Sequence, residues 1–378
     1  MRRILFFLCI SLVIIIIANL FFFLVLKPEI QLLFKNQSSP WFAQFIDWFY
    51  PRFKTESHRF HPEFFFEKAF QVILRFDMVS LSALASIYIF SKSKKLESRR
   101  KVFWNGQMSP DSTGILTRIF YLGMIGYTLD WFQYLNDYYQ LKEFYNPVFL
   151  YQIFNIPFPN PIAITFMIIL FWGSCIFAIL QIKPFVSSAV ASLLFILILG
   201  FLQSFEKINH GYATFGFASL IMPFLVLEKE RVRIIGEKLQ KNWPLKLIQM
   251  TIGLAYLFSG LEKILISGFS WTSGDTFSGY LSIGTEGILR QFLLNHPLLV
   301  IIFANGVLIF QLTFWIIIFN SRLRWFYLLL GIIFHWGTIL ALEVGTWNSP
   351  WIFVYIFFLP FDEMINKDWV IFKKLKRI

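Results

Sequence analysis

The sequence predicts an all-α fold, a polytopic membrane bundle of about ten transmembrane helices with both termini cytoplasmic. Three observations lead there. Of 378 residues, 57% are hydrophobic and only 15% charged, with 49 Phe and 13 Trp. Apolar runs recur at about the 20 residues a helix needs to cross a hydrocarbon core of ~30 Å. The basic residues cluster between those runs, where Lys and Arg hold a loop on the cytoplasmic side. A membrane barrel would show alternating segments of roughly ten residues, and that pattern is absent. A net charge of +12 would point to nucleic acid in a soluble chain. Here it orients helices, so the expected partner is the lipid bilayer and no nucleic acid. Cys9 and Cys175 both fall inside apolar runs, where neither a disulfide framework nor a metal cluster can be built from them.

In chain order, Met1-Arg2-Arg3 precedes a first span over 4–26. That run is longer than the apolar region of a cleaved signal peptide, about 7 to 15 residues, and Lys27-Pro28 follows it. The aromatic stretch 41–53 has the character of an interfacial helix. His58 and His61 lie in a mixed-charge loop with no third ligand nearby, which reads as a solvated segment. The second span, 69–90, contains Arg75 and Asp77 on different helix faces, so each needs its own partner. A loop with Lys92, Lys94, Lys95, Arg99, Arg100 and Lys101 then marks a cytoplasmic side. Asp111-Ser112-Thr113 supplies capping residues for a third span over 114–132. Further spans fit 162–182, 186–205, 212–227, 244–266, 298–319, 325–342 and 350–361. Three regions result: an N-terminal two-span extension at 1–109, a main bundle at 110–362 and a basic tail at 363–378.

Polar residues inside the spans locate the candidate site. Tyr256, Ser259, Gly260 and Lys263 fall at helical spacing on one stripe, while Glu262 points about 100° away. An ionisable group in a span costs roughly 2.5 to 3.5 kcal/mol at mid-helix, so it tends to face a cavity or a partner. A lysine near a helix end also has the option of snorkelling to the headgroups. Asn209-His210-Gly211 sits at the outer start of the sixth span, and His335 lies within the ninth with Gly331 and Thr338 on its face. Asn305 and Gln311 add polar groups from the eighth. For His335 a neutral imidazole hydrogen-bonded across helix packing is the plainer alternative.

These motifs, in their order, resemble the HTTM family, which includes the transmembrane half of vitamin K-dependent gamma-glutamyl carboxylase. The likeness rests on Arg118-Ile119-Phe120-Tyr121, Asn209-His210-Gly211-Tyr212, Ser259-Gly260-Leu261-Glu262-Lys263 with Trp271 and Gly274, and Phe334-His335-Trp336 with Gly345 and Trp347. The resemblance implies a reduced quinone as cofactor, Lys263 as the base, and His210 and His335 beside it in the catalytic set. Tyr256, Ser259, Gln311 and Asn209 are the candidate cofactor contacts. A peptide or protein substrate and a bacterial inner-membrane location are further expectations. Two readings stay open: a hydroquinone-dependent, gamma-carboxylase-like membrane enzyme, and a non-enzymatic accessory or maturation factor in which the same residues are structural.

Overall fold

A computed structural model of the chain describes residues 2–49, 53, 57–59, 61–205, 210–283, 287–347 and 349–366. Contacts divide the chain into two compact units. The first comprises Met1–Phe103, Gln140–Phe158 and Gly200–Glu206, and the second comprises Trp104–Tyr139, Pro159–Leu199 and Lys207–Ile378. The first unit thus takes two segments that sequence reasoning left in the main bundle.

In the first unit, α1 (Arg2–Phe21) passes through a π-helical turn at Phe22–Leu26 into α2 (Lys27–Phe34). Pro28 has no N–H to return to the preceding turn, and the wide turn directly before it absorbs that missing bond. Then come α3 (Pro40–Phe49), α4 (Pro62–Lys92) and α5 (Lys94–Trp104). The partner that Asp77 needed is Asn19, whose Nδ2 donates to both carboxylate oxygens at 2.9 and 3.0 Å and ties α1 to α4. Phe22 is wholly buried against the rings of Phe66 and Phe70. On α5, Lys101 lies 2.9 Å from Glu97 and holds that carboxyl below its ordinary range by hydrogen bonding and charge. Gly200 is required by packing, since a Cβ there would lie 2.5 Å from the ring of Tyr151.

The second unit holds α6 (Pro110–Tyr127), α7 (Trp131–Gln140), α8 (Pro161–Ile179), α9 (Pro184–Leu202), α10 (Ala213–Ile235) and α11 (Trp243–Ser267). It continues with α12 (Asp275–Ile283), α13 (Ile288–Leu294), α14 (Pro297–Thr313), α15 (Arg324–Leu342) and α16 (Phe361–Asn366). Proline at the first turn and a side-chain cap define several starts: Ser109 Oγ accepts from the Asp111 N–H ahead of α6, and Asn160 Oδ1 from that of Ala163 ahead of α8. Pro223 stands inside α10 and leaves the carbonyl of Ser219 without its helical donor. Ser192 of α9 supplies one instead, its Oγ donating to that carbonyl at 2.5 Å, the kind of repair a membrane interior demands. Two short strands, β1 (Gln107–Met108) and β2 (Gln240–Lys241), pair antiparallel with Gln107 opposite Lys241.

Among the described residues, eight helical segments are long and apolar enough to cross a membrane: Cys9–Phe34, Pro62–Ile89, Pro161–Ile179, Pro184–Leu202, His210–Ile235, Trp243–Ser267, Pro297–Ile318 and Ser321–Leu342. The two further spans expected from sequence are helical but differ in kind. Helix α6 has 18 residues and buries a polar face of Ser112, Thr113 and Thr117, which lowers its hydropathy. The stretch near 350–361 is a pair of short turns, Pro350–Phe353 and the 3-10 segment Val354–Phe358. Both are held inside the bundle: Phe120 packs on Phe215 and Phe357, and Gly123 leaves the space that the Phe353 ring fills, where a Cβ would come within 2.1 Å.

Candidate functional site

The stripe predicted on α11 divides into two parts, because Lys263 stands two turns beyond Tyr256, about 10 Å along the axis. At the inner part, Tyr256 is buried and its hydroxyl lies 2.7 Å from His335 Nε2 and 2.7 Å from the hydroxyl of Tyr355. A phenol has one hydrogen, so Tyr256 donates to one of these neighbours and accepts from the other. The three groups form a directional chain across α11, α15 and the 3-10 segment Val354–Phe358. Gly331, one turn before His335, makes the approach possible: a Cβ there would sit 2.1 Å from the Tyr355 hydroxyl. The rings of Phe310, Phe314 and Trp351 pack around Tyr256, which is buried. Sequence reasoning missed Tyr355. Its only signal was a glycine on the His335 face with a tyrosine-bearing aromatic segment downstream.

At the outer part, Lys263 is half-buried and Glu262 exposed, as their different faces require. The Lys263 ammonium lies 5.0 Å from the centroid of the Trp271 ring and 3.4 Å from the carbonyl of Ser259. Trp271 is itself fixed by donating Nε1–H to the Ala304 carbonyl at 2.9 Å. Asn305 pins the same region, its Nδ2 donating to the carbonyl of Thr272 at 2.8 Å. The Ser259 hydroxyl turns back to the Ala255 carbonyl. Gln311 packs against Gly260, where a Cβ would meet its own at 3.2 Å. Its side-chain oxygen is buried with no hydrogen-bond partner among the described residues. His210 is exposed, and the turn His210–Tyr212 is anchored through Tyr212, whose hydroxyl donates to the Tyr127 carbonyl at 3.4 Å. Asn209 lies outside the described residues.

A cavity of ≈460 Å³ opens between α14 and α15, lined by aromatic and aliphatic side chains including Phe303, Phe310, Tyr327 and Phe334, with Thr313 and Thr338 as polar exceptions. Its volume falls within the usual 300–1,000 Å³ of a small-molecule site. None of the described candidate residues is part of its lining. Phe310 touches both the cavity and Tyr256, Thr338 lines it and bonds the His335 carbonyl at 2.7 Å, and Phe277 lines it while packing on Trp271. Tyr256 is thus one ring from this space, through Phe310, and Lys263 two rings from it, through Trp271 and Phe277.

Residues 107–369 match the family described as the HTTM domain. The chain belongs to the HTTM family. No curated protein and no solved structure matches it. The HTTM domain contains Tyr256, His335, Tyr355, Lys263 and the aromatic cavity, and with its apolar helices it makes this a multi-pass membrane protein.

Proposed function

We propose that this HTTM protein is a membrane enzyme that uses a reduced quinone or another lipid-soluble, ring-bearing cofactor, with Lys263 as the base. A gamma-carboxylase-like reaction on a peptide or protein is one outcome of such chemistry, and a bacterial inner membrane is the setting that fits. The observation that carries the reading is the ≈460 Å³ aromatic cavity, one ring from Tyr256 through Phe310 and two rings from Lys263 through Trp271 and Phe277. The residues fit the group in part: the cavity's aromatic walls suit a planar ring, while Gln311, outside the lining, holds a buried carbonyl oxygen with no hydrogen-bond partner among the described residues. When bound, a hydroquinone supplies a reducing ring with ionisable hydroxyls. The chain's own residues position and exclude water around it: Phe310 and Phe334 screen the hydrogen-bonded chain, and Tyr256 orients the imidazole of His335.

A second reading, an accessory or maturation factor, is favoured by the placement of Lys263 over Trp271. A cation above an indole face is stabilised as a cation by roughly 0.5–1 kcal/mol or more, which opposes service as a base. Purification followed by organic extraction and mass spectrometry of bound quinones separates the two. The enzyme reading expects a stoichiometric quinone, with its turnover lost in both Lys263→Met and Lys263→Arg, since a guanidinium stays protonated. Full turnover in Lys263→Arg would make the residue a charge anchor and remove the base assignment.

A further inference from the structure

The end of α10 opposite the His210–Tyr212 turn borders a different kind of cavity. It measures ≈540 Å³ and lies between the start of α6, the turn joining α8 to α9, and the last turns of α10. Arg118 comes from α6, and Lys229 and Arg233 stand one turn apart on α10, so three cations face one space. Gly114 is the reason the Lys229 head can lie against α6, because a Cβ there would be 2.8 Å from Nζ. Lys229 donates to the side-chain oxygen of Gln181. Gln181 and Lys183 hold φ of 59° and 40°, left-handed values that cost a side-chain-bearing residue about 1–3 kcal/mol each. The turn is therefore kept in a costly conformation that presents Gln181 to the lysine.

The lining also carries Asp111, Glu230 and Glu237, so its formal charges balance. Glu230 is engaged at the start of α9, accepting from the Phe185 N–H at 3.2 Å. A lining of both signs disfavours a multiply charged anion and matches a ligand that carries a phosphate and an amine together. Next to the lining residues in sequence stand exposed apolar ones: Ile234 and Ile235, 84% and 59% exposed, follow Arg233, and Leu180, Ile182 and Val186 flank Gln181 and Pro184. A soluble ligand has no use for such neighbours, whereas acyl chains do.

We propose that this cavity binds the headgroup of a zwitterionic phospholipid, phosphatidylethanolamine. Its phosphate is held by Arg118, Lys229 and Arg233, and its ammonium faces Asp111 and Glu237. Guanidinium groups meet phosphate oxygens with a fork of donors, and basic pockets between membrane helices are established headgroup sites. The volume exceeds what orthophosphate alone would fill and lies within the range of ligand pockets.

Native mass spectrometry of the full chain released from detergent micelles tests this, with phosphatidylethanolamine, phosphatidylglycerol and inorganic phosphate as the probes. The expected result is retention of phosphatidylethanolamine at least about tenfold over phosphatidylglycerol, with Arg233→Gln lowering it about tenfold, the scale of one charge-assisted hydrogen bond. Arg118→Gln lowers it likewise, and because Arg233 is exposed at a helix end its variant carries the test even where the Arg118 variant folds poorly. Arg322→Gln, an exposed charge outside the cavity, leaves retention unchanged. Equal retention of phosphatidylglycerol, displacement of the lipid by millimolar phosphate, or an equal loss in Arg322→Gln would each overturn the proposal.

Discussion

Two cavities of the HTTM domain have comparable volumes, ≈460 and ≈540 Å³, and opposite chemistry. The first is walled by rings and lies beside Tyr256 and His335, near the middles of α11 and α15. Its polar neighbours are phenols and an imidazole that satisfy one another without a formal charge. The second gathers three cations and three carboxylates toward the start of α6 and the end of α10, with Arg118 midway along α6. The difference follows from what a bilayer tolerates at each depth. An ion is costly at mid-membrane and cheap at the interface, while a closed chain of neutral hydrogen bonds is acceptable anywhere it is dry. Lys263 and Trp271 mark the third solution, a cation placed near the C-terminal end of a span with an aromatic face in place of a carboxylate.

The sharpest way to break this comparison is sidedness, because the charged cavity belongs on the cytoplasmic side if Lys and Arg obey their usual bias. In a variant lacking Cys9 and Cys175, a cysteine at Glu237 is expected to resist a membrane-impermeant maleimide in intact cells, and one at Phe269, which is 91% exposed, to be labelled. The reverse pattern would invert the bundle. Next in size is Gly331→Ala. The new methyl collides with the Tyr355 hydroxyl, so overpacking of about 1–3 kcal/mol adds to the loss of the Tyr256–Tyr355 bond. Thermal unfolding in detergent reads the sum, and an unchanged midpoint would mean the neutral chain is not rigid.

Tyr256→Phe leaves His335 and Tyr355 facing each other without the central hydroxyl, at a cost of about 1–3 kcal/mol for stranded buried groups. Tyr355→Phe removes one terminal hydroxyl and costs about 1 kcal/mol. Should the two variants lose the same stability, Tyr256 would not be the hub of the chain. The smallest effect is expected at Gln311→Leu. Removing a buried oxygen that has no hydrogen-bond partner among the described residues is near neutral or slightly stabilising, while binding of a hydroxyl-bearing cofactor weakens. A marked loss of stability would assign Gln311 to the packing of α11 on α14 instead.

The sequence made the helical, membrane-spanning character legible because apolar runs of spanning length have few other interpretations. It also made the faces of α11 legible, since Tyr256, Gly260 and Lys263 follow from helical geometry alone. What lay between elements was not readable. Tyr256 and His335 meet across 79 residues, and no local periodicity reports such a pairing. The aromatic cavity left no mark at all, because Phe303, Phe310 and Phe334 look the same whether they face lipid, a core or an opening. His210 illustrates the converse: a histidine beside a glycine draws notice in a sequence, yet it stands exposed while its neighbour Tyr212 makes the anchoring contact.

The small pairing of β1 with β2 sets a timetable for the domain. Gln107 lies ahead of α6 and its partner Lys241 ahead of α11, with the whole of α6 to α10 in between. Gly106 and Asn242 extend the link, the Asn242 N–H donating to the Gly106 carbonyl at 3.0 Å. Chains emerge from the ribosome N-terminus first, so the residue that starts the domain waits through the synthesis of α6 to α10 for its mate. Until Gln240 appears, α6 is tied to the helices that follow it by side-chain packing and side-chain hydrogen bonds, such as that from the Tyr121 hydroxyl to the Ser188 carbonyl. The clasp can close only once the residues directly ahead of α11 are made, so the helix bearing Tyr256 and Lys263 starts from a point that pairs with the segment leading into the first helix of the domain.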